Sequence, residues 1–285
     1  YDKFVGPDGW LQQRHLRQFS LRDELPVLVN KHPAAIVPES SAFCHRFIQP
    51  DASKRFYGVN PYFTDLVHKT KVIMAKKALL VGATGLVGKS LLYQLINDQR
   101  YNEVVALVRR PLLIAHPKLK IVNFDFDSPD KSLLTGDDLF CALGTTIRTA
   151  GSEAAQFRVD CEYPAEIGRM ARENGVKQYL LVSSVGANPN SSNFYLRTKG
   201  ELENRIKDLN FDCFVTAQPS LLLGDRREFR LGEKIGIALN AMFNLIIPAK
   251  YKGVKASQVA NALITLANQG LTGNHVVTSD VLRKY

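Results

Sequence analysis

From Met74 onward the chain alternates short, continuous apolar runs with longer stretches in which apolar residues recur every three or four positions. The short runs predict strands at Ala78–Val81, Val104–Val108, Lys120–Val122, Leu139–Leu143, Gln178–Ser183, Cys213–Ala217 and His275–Thr278. The longer ones predict helices at Gly88–Asn97, Ser152–Glu173, Asn193–Leu209, Gly232–Phe243 and Ala256–Asn268. Strands this uniformly apolar must be covered on both faces. Their alternation with helices therefore predicts an α/β fold, a doubly wound Rossmann-type parallel sheet with a small C-terminal substrate-side region. In such sheets ligands bind beyond the carboxyl ends of the strands.

Residues 1–73 read differently. They hold the single tryptophan, Trp10, four of the six histidines and frequent proline breaks at Pro26, Pro33, Pro38, Pro50 and Pro61. The expected division is an N-terminal extension of unassigned fold over 1–73 and a Rossmann-type α/β domain over 74–285. Met74-Ala-Lys-Lys reads like the natural start of a protein, so residues 1–73 are expected to be an appended module or an upstream extension, and a candidate surface for a protein partner. The chain opens on Tyr1 rather than Met, so the true start is expected to have been removed, to be missing or to lie elsewhere.

The strongest local motif is Gly82-x-x-Gly85-x-x-Gly88, set between the first apolar run and an amphipathic helix. Glycines there permit a tight turn, close approach of backbone to a pyrophosphate, and packing of helix on strand. The helix N-terminus offers N–H groups and partial positive charge to phosphate. Gly82, Thr84, Gly85, Leu86, Val87 and Gly88 are the expected phosphate-binding turn. The second strand ends in Arg109-Arg110, with guanidiniums where an NAD-binding domain usually carries a carboxylate for the ribose hydroxyl. A planar fork matches phosphate oxygens bidentately, so NADP(H) is the expected cofactor, with Arg109 first and Arg110 second on its 2′-phosphate. Asp125, after the third strand, is expected at the adenine amino group, and Leu143 and Gly144, after the fourth, leave room for a ribose.

Composition narrows the alternatives. The formal charge is +10, from 37 Lys and Arg against 27 Asp and Glu. No helix-turn-helix, zinc finger or aromatic-plus-basic motif accompanies it, so nucleic acid is not an expected partner. Arg226, Arg227, Arg230 and Lys234 lie where an anionic substrate or plain solvent would meet them. The apolar stretch 235–249 is too short and interrupted to span a bilayer, which leaves a core helix or a membrane-surface contact. Cys44, Cys141, Cys161 and Cys213 are dispersed, and no spacing of Cys or His suggests a metal site. The thiols point to a reducing compartment, read here as the cytoplasm.

Tyr195 and Lys199 stand four apart in a helical stretch, hence on one face with Cβ atoms about 6 Å apart. An ammonium beside a phenol favours the phenolate and brings it toward useful acid–base range. Lys199 can also bind the cofactor ribose. Ser184, at the end of the fifth strand, would hydrogen-bond a substrate carbonyl.

The segments CALGTTIRTAGSEAAQFRVD, LLVSSVGANPNSSNFYLRTKGELE and LLLGDRREFRLGE resemble the short-chain dehydrogenase/reductase superfamily, in its extended or atypical branch and near the Tat-interacting-protein-like oxidoreductases. The resemblance covers residues 75–283. It implies NADP(H), a Ser184–Tyr195–Lys199 centre, and a nicotinamide-side loop at Pro219, where this chain has Gln218-Pro219 instead of the frequent Arg-Pro. The expected activity is hydride transfer to a carbonyl, quinone or activated alkene of a small molecule. The alternative is an NADP(H)-sensing regulator or assembly factor without turnover; the presence of both Tyr195 and Lys199 favours the enzyme.

Overall fold

The structure is a computed structural model that describes residues 75–224, 248 and 251–285, all within one compact unit. The N-terminal extension, the helix expected at Gly232–Phe243, the group Arg226, Arg227, Arg230 and Lys234, and the stretch 235–249 apart from Pro248 lie outside the described residues.

Among the described residues a seven-stranded sheet has the order β3-β2-β1-β4-β5-β6-β9, with every neighbouring pair parallel. Its strands are β1 (Lys76–Val81), β2 (Tyr101–Val108), β3 (Leu119–Asn123), β4 (Asp138–Cys141), β5 (Gln178–Val182), β6 (Cys213–Gln218) and β9 (Gly273–Thr278). Each expected strand is present. The chain order reverses between β1 and β4, which opens a crevice at their carboxyl ends. A separate parallel pair, β7 (Leu222–Leu223) and β8 (Val254–Lys255), flanks residues 225–250 in sequence.

The period of two along β1 shows why the strands are apolar throughout. Ala78 and Leu80 face one core cluster, shared with Leu91 and Leu95 of α1 (Leu86–Asn97) and Val259 and Leu263 of α6 (Ala256–Leu266). Leu79 and Val81 face the other, shared with Ile167 of α4 (Tyr163–Glu173) and Leu202 and Ile206 of α5 (Phe194–Asp208). Both faces are thus buried under helices, as the fold class requires.

The helix expected over Ser152–Glu173 is divided. After the short α2 (Ile147–Ala150), α3 (Glu153–Phe157) runs into a π-helical turn, Arg158–Glu162, before α4 begins. At the amino ends of the central strands, opposite the crevice, buried Asp138 accepts hydrogen bonds from the Tyr101 hydroxyl at 2.6 Å, Lys76 Nζ at 3.0 Å and Gln178 Nε2 at 2.8 Å. Lys76 and Gln178 both also donate to the Ala267 carbonyl, tying the end of α6 to the sheet. No helix among the described residues is long and apolar enough to cross a membrane.

Candidate active site

The glycine turn joins β1 to α1 at the crevice. Gly82 has φ +84°, and a Cβ there would lie 2.5 Å from the Ala142 carbonyl group and 2.7 Å from Leu143 N. A Cβ on Gly88 would lie 1.9 Å from the Gly82 oxygen. Gly85 is the N-cap of α1, with its N–H donating to Gly82 O at 3.0 Å, while Thr84 beside it is exposed. No side chain caps this helix, and its first turn carries no acidic residue. These features suit a phosphate: close backbone, helix dipole, and no competing carboxylate. Leu86 and Val87 open the helix, Leu86 half-buried and Val87 buried.

Arg109 and Arg110 follow the end of β2 and are both exposed at the same edge of the sheet. Asp125 is exposed beyond β3; its Oδ1 accepts the Asp127 N–H at 2.9 Å, which orients its carboxylate by a local turn. β4 ends at Cys141 rather than Leu143. Leu143 and Gly144 therefore leave the sheet and form the loop that meets the helix carrying Tyr195 and Lys199.

That helix is α5, capped by Asn193, whose side chain accepts the Leu196 N–H at 3.1 Å. The cap starts the helix just before Tyr195 and puts Lys199 one turn further in. Lys199 Nζ is 5.9 Å from the centre of the Tyr195 ring. A Cβ on Gly144 would lie 3.6 Å from Lys199 Nζ, so the β4 loop and the lysine are neighbours.

The loop after β5 closes onto α5. Asn188 N–H donates to Leu196 O at 3.0 Å and Arg197 Nη1 to Ser191 O at 2.8 Å. Gly200 permits this approach, since a Cβ there would be 2.3 Å from the Asn188 and Pro189 backbone. Ser184 lies at the head of the loop, with its hydroxyl only 3.4 Å from the Val185 carbonyl. The Val185 N–H donates to Pro219 O at 3.0 Å, joining the serine loop to the segment after β6. The two adjacent serines differ: buried Ser183 donates a short hydrogen bond to Glu203, whereas Ser184 is half-buried with no such acceptor. Glu203 also accepts from Gln218 Nε2, at 3.0 Å to each oxygen.

The sequence reading missed Asp160. The π-turn presents its side chain inward, where Oδ2 is 3.2 Å from Lys199 Nζ and Oδ1 accepts the Thr145 N–H at 2.6 Å. Both members of the ion pair are buried. Burial pulls the Lys199 ammonium toward neutrality, but the neighbouring Asp160 and Tyr195 oxygens outweigh it and hold the group above the ordinary lysine range. Gly200 and Glu203 were also missed, and Gln218 was singled out as a departure from Arg-Pro but not for its hydrogen bonds to Glu203. The one signal in the sequence was Gly200, a poor helix former inside α5; Glu203, an ordinary helix former, carried none.

The fold and this crevice define a dinucleotide-binding protein with a Tyr–Lys pair at the strand ends. A family model described as NAD(P)H-binding matches residues 82–235. Protein HTATIP2 of Rattus norvegicus is 37% identical over 164 residues, covering 55% of this chain and 67% of the relative. The mitochondrial protein FMP52 of Eremothecium gossypii is 33% identical over 195 residues, covering 65% of this chain and 87% of the relative. The chain belongs to this NAD(P)H-binding family, in the atypical branch of the short-chain dehydrogenase/reductase superfamily. Among solved structures, MoeE5 in complex with UDP-glucose and NAD aligns with TM-score 0.55 and 18% identity over 70% of this chain and 74% of its own. The UDP-N-acetylglucosamine 4-epimerase of Methanobrevibacter ruminantium aligns with the same TM-score and identity over 72% and 76%. These likenesses show the Rossmann fold.

The relatives correct one expectation. FMP52 proteins of Candida glabrata and Eremothecium gossypii are named as mitochondrial, which overturns the cytoplasmic location. The reason is chemical: dispersed free thiols mark reducing conditions, and more than one compartment is reducing.

Proposed function

We propose that this chain is an NADPH-dependent reductase of a small molecule bearing a carbonyl, quinone or activated alkene, with Ser184, Tyr195 and Lys199 as its centre. The observation that carries the reading is the Tyr195–Lys199 pair, with the ammonium 5.9 Å from the ring centre and beside the Gly144 loop. The residues fit the cofactor. Gly82, Thr84, Gly85, Leu86, Val87 and Gly88 would hold its pyrophosphate, Arg109 and Arg110 its 2′-phosphate, Asp125 its adenine, Leu143, Gly144 and Lys199 its ribose, and Pro219 its nicotinamide side.

Bound NADPH supplies the hydride. The protein's part is to manage the charge that hydride addition creates on the substrate oxygen. Ser184 donates a hydrogen bond that orients the oxygen, and Tyr195 donates the proton that neutralises it. The Lys199 ammonium stabilises the phenolate left behind. Positioned proton transfer contributes about 10² to 10⁴ in rate. Tyr195→Phe should therefore abolish NADPH oxidation with a carbonyl and quinone panel while leaving NADPH affinity within about twofold. A Tyr195→Phe protein with normal turnover would sink the mechanism, and a wild-type protein that binds NADPH yet oxidises it with no acceptor would favour the sensor.

A further inference from the structure

The paired residues of β5 and β6 run only as far as Val182 and Ala217. Beyond them the two chains part, one into the loop headed by Ser184 and the other into the segment at Pro219. Ser183 N–H still donates to Ala217 O at 2.8 Å and Val185 N–H to Pro219 O at 3.0 Å. Pro219 has no N–H to return, so the ladder cannot continue there.

Glu203 enters this opening from the helix side. Its carboxylate accepts the Ser183 hydroxyl from one chain and Gln218 Nε2 from the other, the latter at 3.0 Å to each oxygen. These two donors are the residues immediately before Ser184 and Pro219. One carboxyl thus bridges the two chains where they separate. Packing does not require it, because Leu202 and Ile206 already seat α5 on the sheet. Burial opposes it, pushing the carboxyl above the ordinary glutamate range. Tyr195, Lys199 and Glu203 recur every four residues along α5, so the helix that carries the pair also carries the bridge.

We propose that Glu203 is a positioning residue, tying the serine loop and the Pro219 segment to α5 so that Ser184 and Pro219 keep their places relative to Tyr195. This rests on the assignment of Ser184, Tyr195 and Pro219 above. Glu203 touches no reacting atom; it acts through Ser183 and Gln218.

Amide hydrogen exchange of the full chain reads the tie without turnover. The Val185 N–H is the reporter, because its bond to Pro219 O spans the same opening without touching Glu203. In Glu203→Ala its protection should fall about tenfold, the loss expected when hydrogen bonds to a charged group are removed. Two amides should keep their protection: Ile206, on the same helix, and Ser220, whose N–H is held from the far side by Ser279 Oγ at 2.7 Å. Glu203→Gln keeps an acceptor for Ser183 and an amide that pairs with a turned Gln218, so it should restore Val185. Gln218→Ala should loosen Val185 as Glu203→Ala does, and the double variant should be no looser than either. Val185 protection that survives Gln218→Ala, that is lost together with Ile206, or that Glu203→Gln fails to restore overturns the proposal. If Glu203→Ala does not fold, Gln218→Ala decides by the same criteria. With an acceptor that supports turnover, Glu203→Ala should lower kcat about tenfold with NADPH affinity within about twofold, and an unchanged kcat overturns the positioning role. A loosened Val185 with no NADPH oxidation by wild type and any acceptor would retire the reductase reading and leave the tie standing.

Discussion

Glu203 sits one helical turn beyond Lys199, and its surroundings make it testable at the scale of a single side chain. Burial pushes its carboxyl above the ordinary glutamate range, while hydrogen bonds from Ser183 and Gln218 and the Lys199 charge pull the other way. A carboxyl that holds its proton more tightly when folded contributes stability below its unfolded value, 4.5, and loses it as pH rises through the folded value. Glu203→Gln should remove that slope. In thermal melts the wild-type midpoint should fall relative to Glu203→Gln as pH rises from 4 toward 7, and a constant difference would refute it. Such a residue was not legible in the sequence. That Tyr195 and Lys199 share a helix and that Ser184 follows a strand end could be read from spacing, whereas the contacts of Asp160, Glu203 and Gln218 come from partners far away in sequence.

Elements were legible where their chemistry is local. Apolar runs buried on both faces fixed the seven strands to within a few residues, and the glycine turn marked where the first helix begins. The π-turn was not, because it spans only Arg158–Glu162 and no residue type in that stretch marks it. The two tight glycines divide the site between elements and predict different defects. Gly88→Ala forces α1 away from the Gly82 carbonyl, an overpacking that typically costs about 1–3 kcal/mol. It should lower NADPH affinity at least tenfold in a fluorescence titration while far-ultraviolet dichroism stays native. Gly200→Ala forces the Asn188–Pro189 loop off α5 and so moves Ser184 relative to Tyr195. Its expected defect is in kcat, with NADPH affinity within about threefold. If both variants lose affinity equally, the assignment of one glycine to cofactor and the other to catalysis is wrong.

At the scale of the molecule the crevice joins two halves of the sheet. β1, β2 and β3 lead to the glycine turn, Arg109, Arg110 and Asp125, while β4, β5 and β6 lead to the Gly144 loop, Ser184 and Pro219. A dinucleotide bound across the crevice would touch both halves and stabilise the whole unit by mass action, about 2.7 kcal/mol at a hundred times its dissociation constant. On the proposed NADPH reading, Arg109 and Arg110 decide which dinucleotide gains more. Their exposure leaves the 2′-phosphate contact open to solvent, so its Coulomb part should be screened over about 10 Å at 0.1 M salt. At equal concentrations NADPH should therefore raise the melting temperature more than NADH does. The gap should narrow as salt is raised, shrink in Arg110→Glu and close in Arg109→Glu. A gap that survives Arg109→Glu would move the 2′-phosphate site away from the end of β2, and equal stabilisation of the wild type by both cofactors would end the case for NADPH.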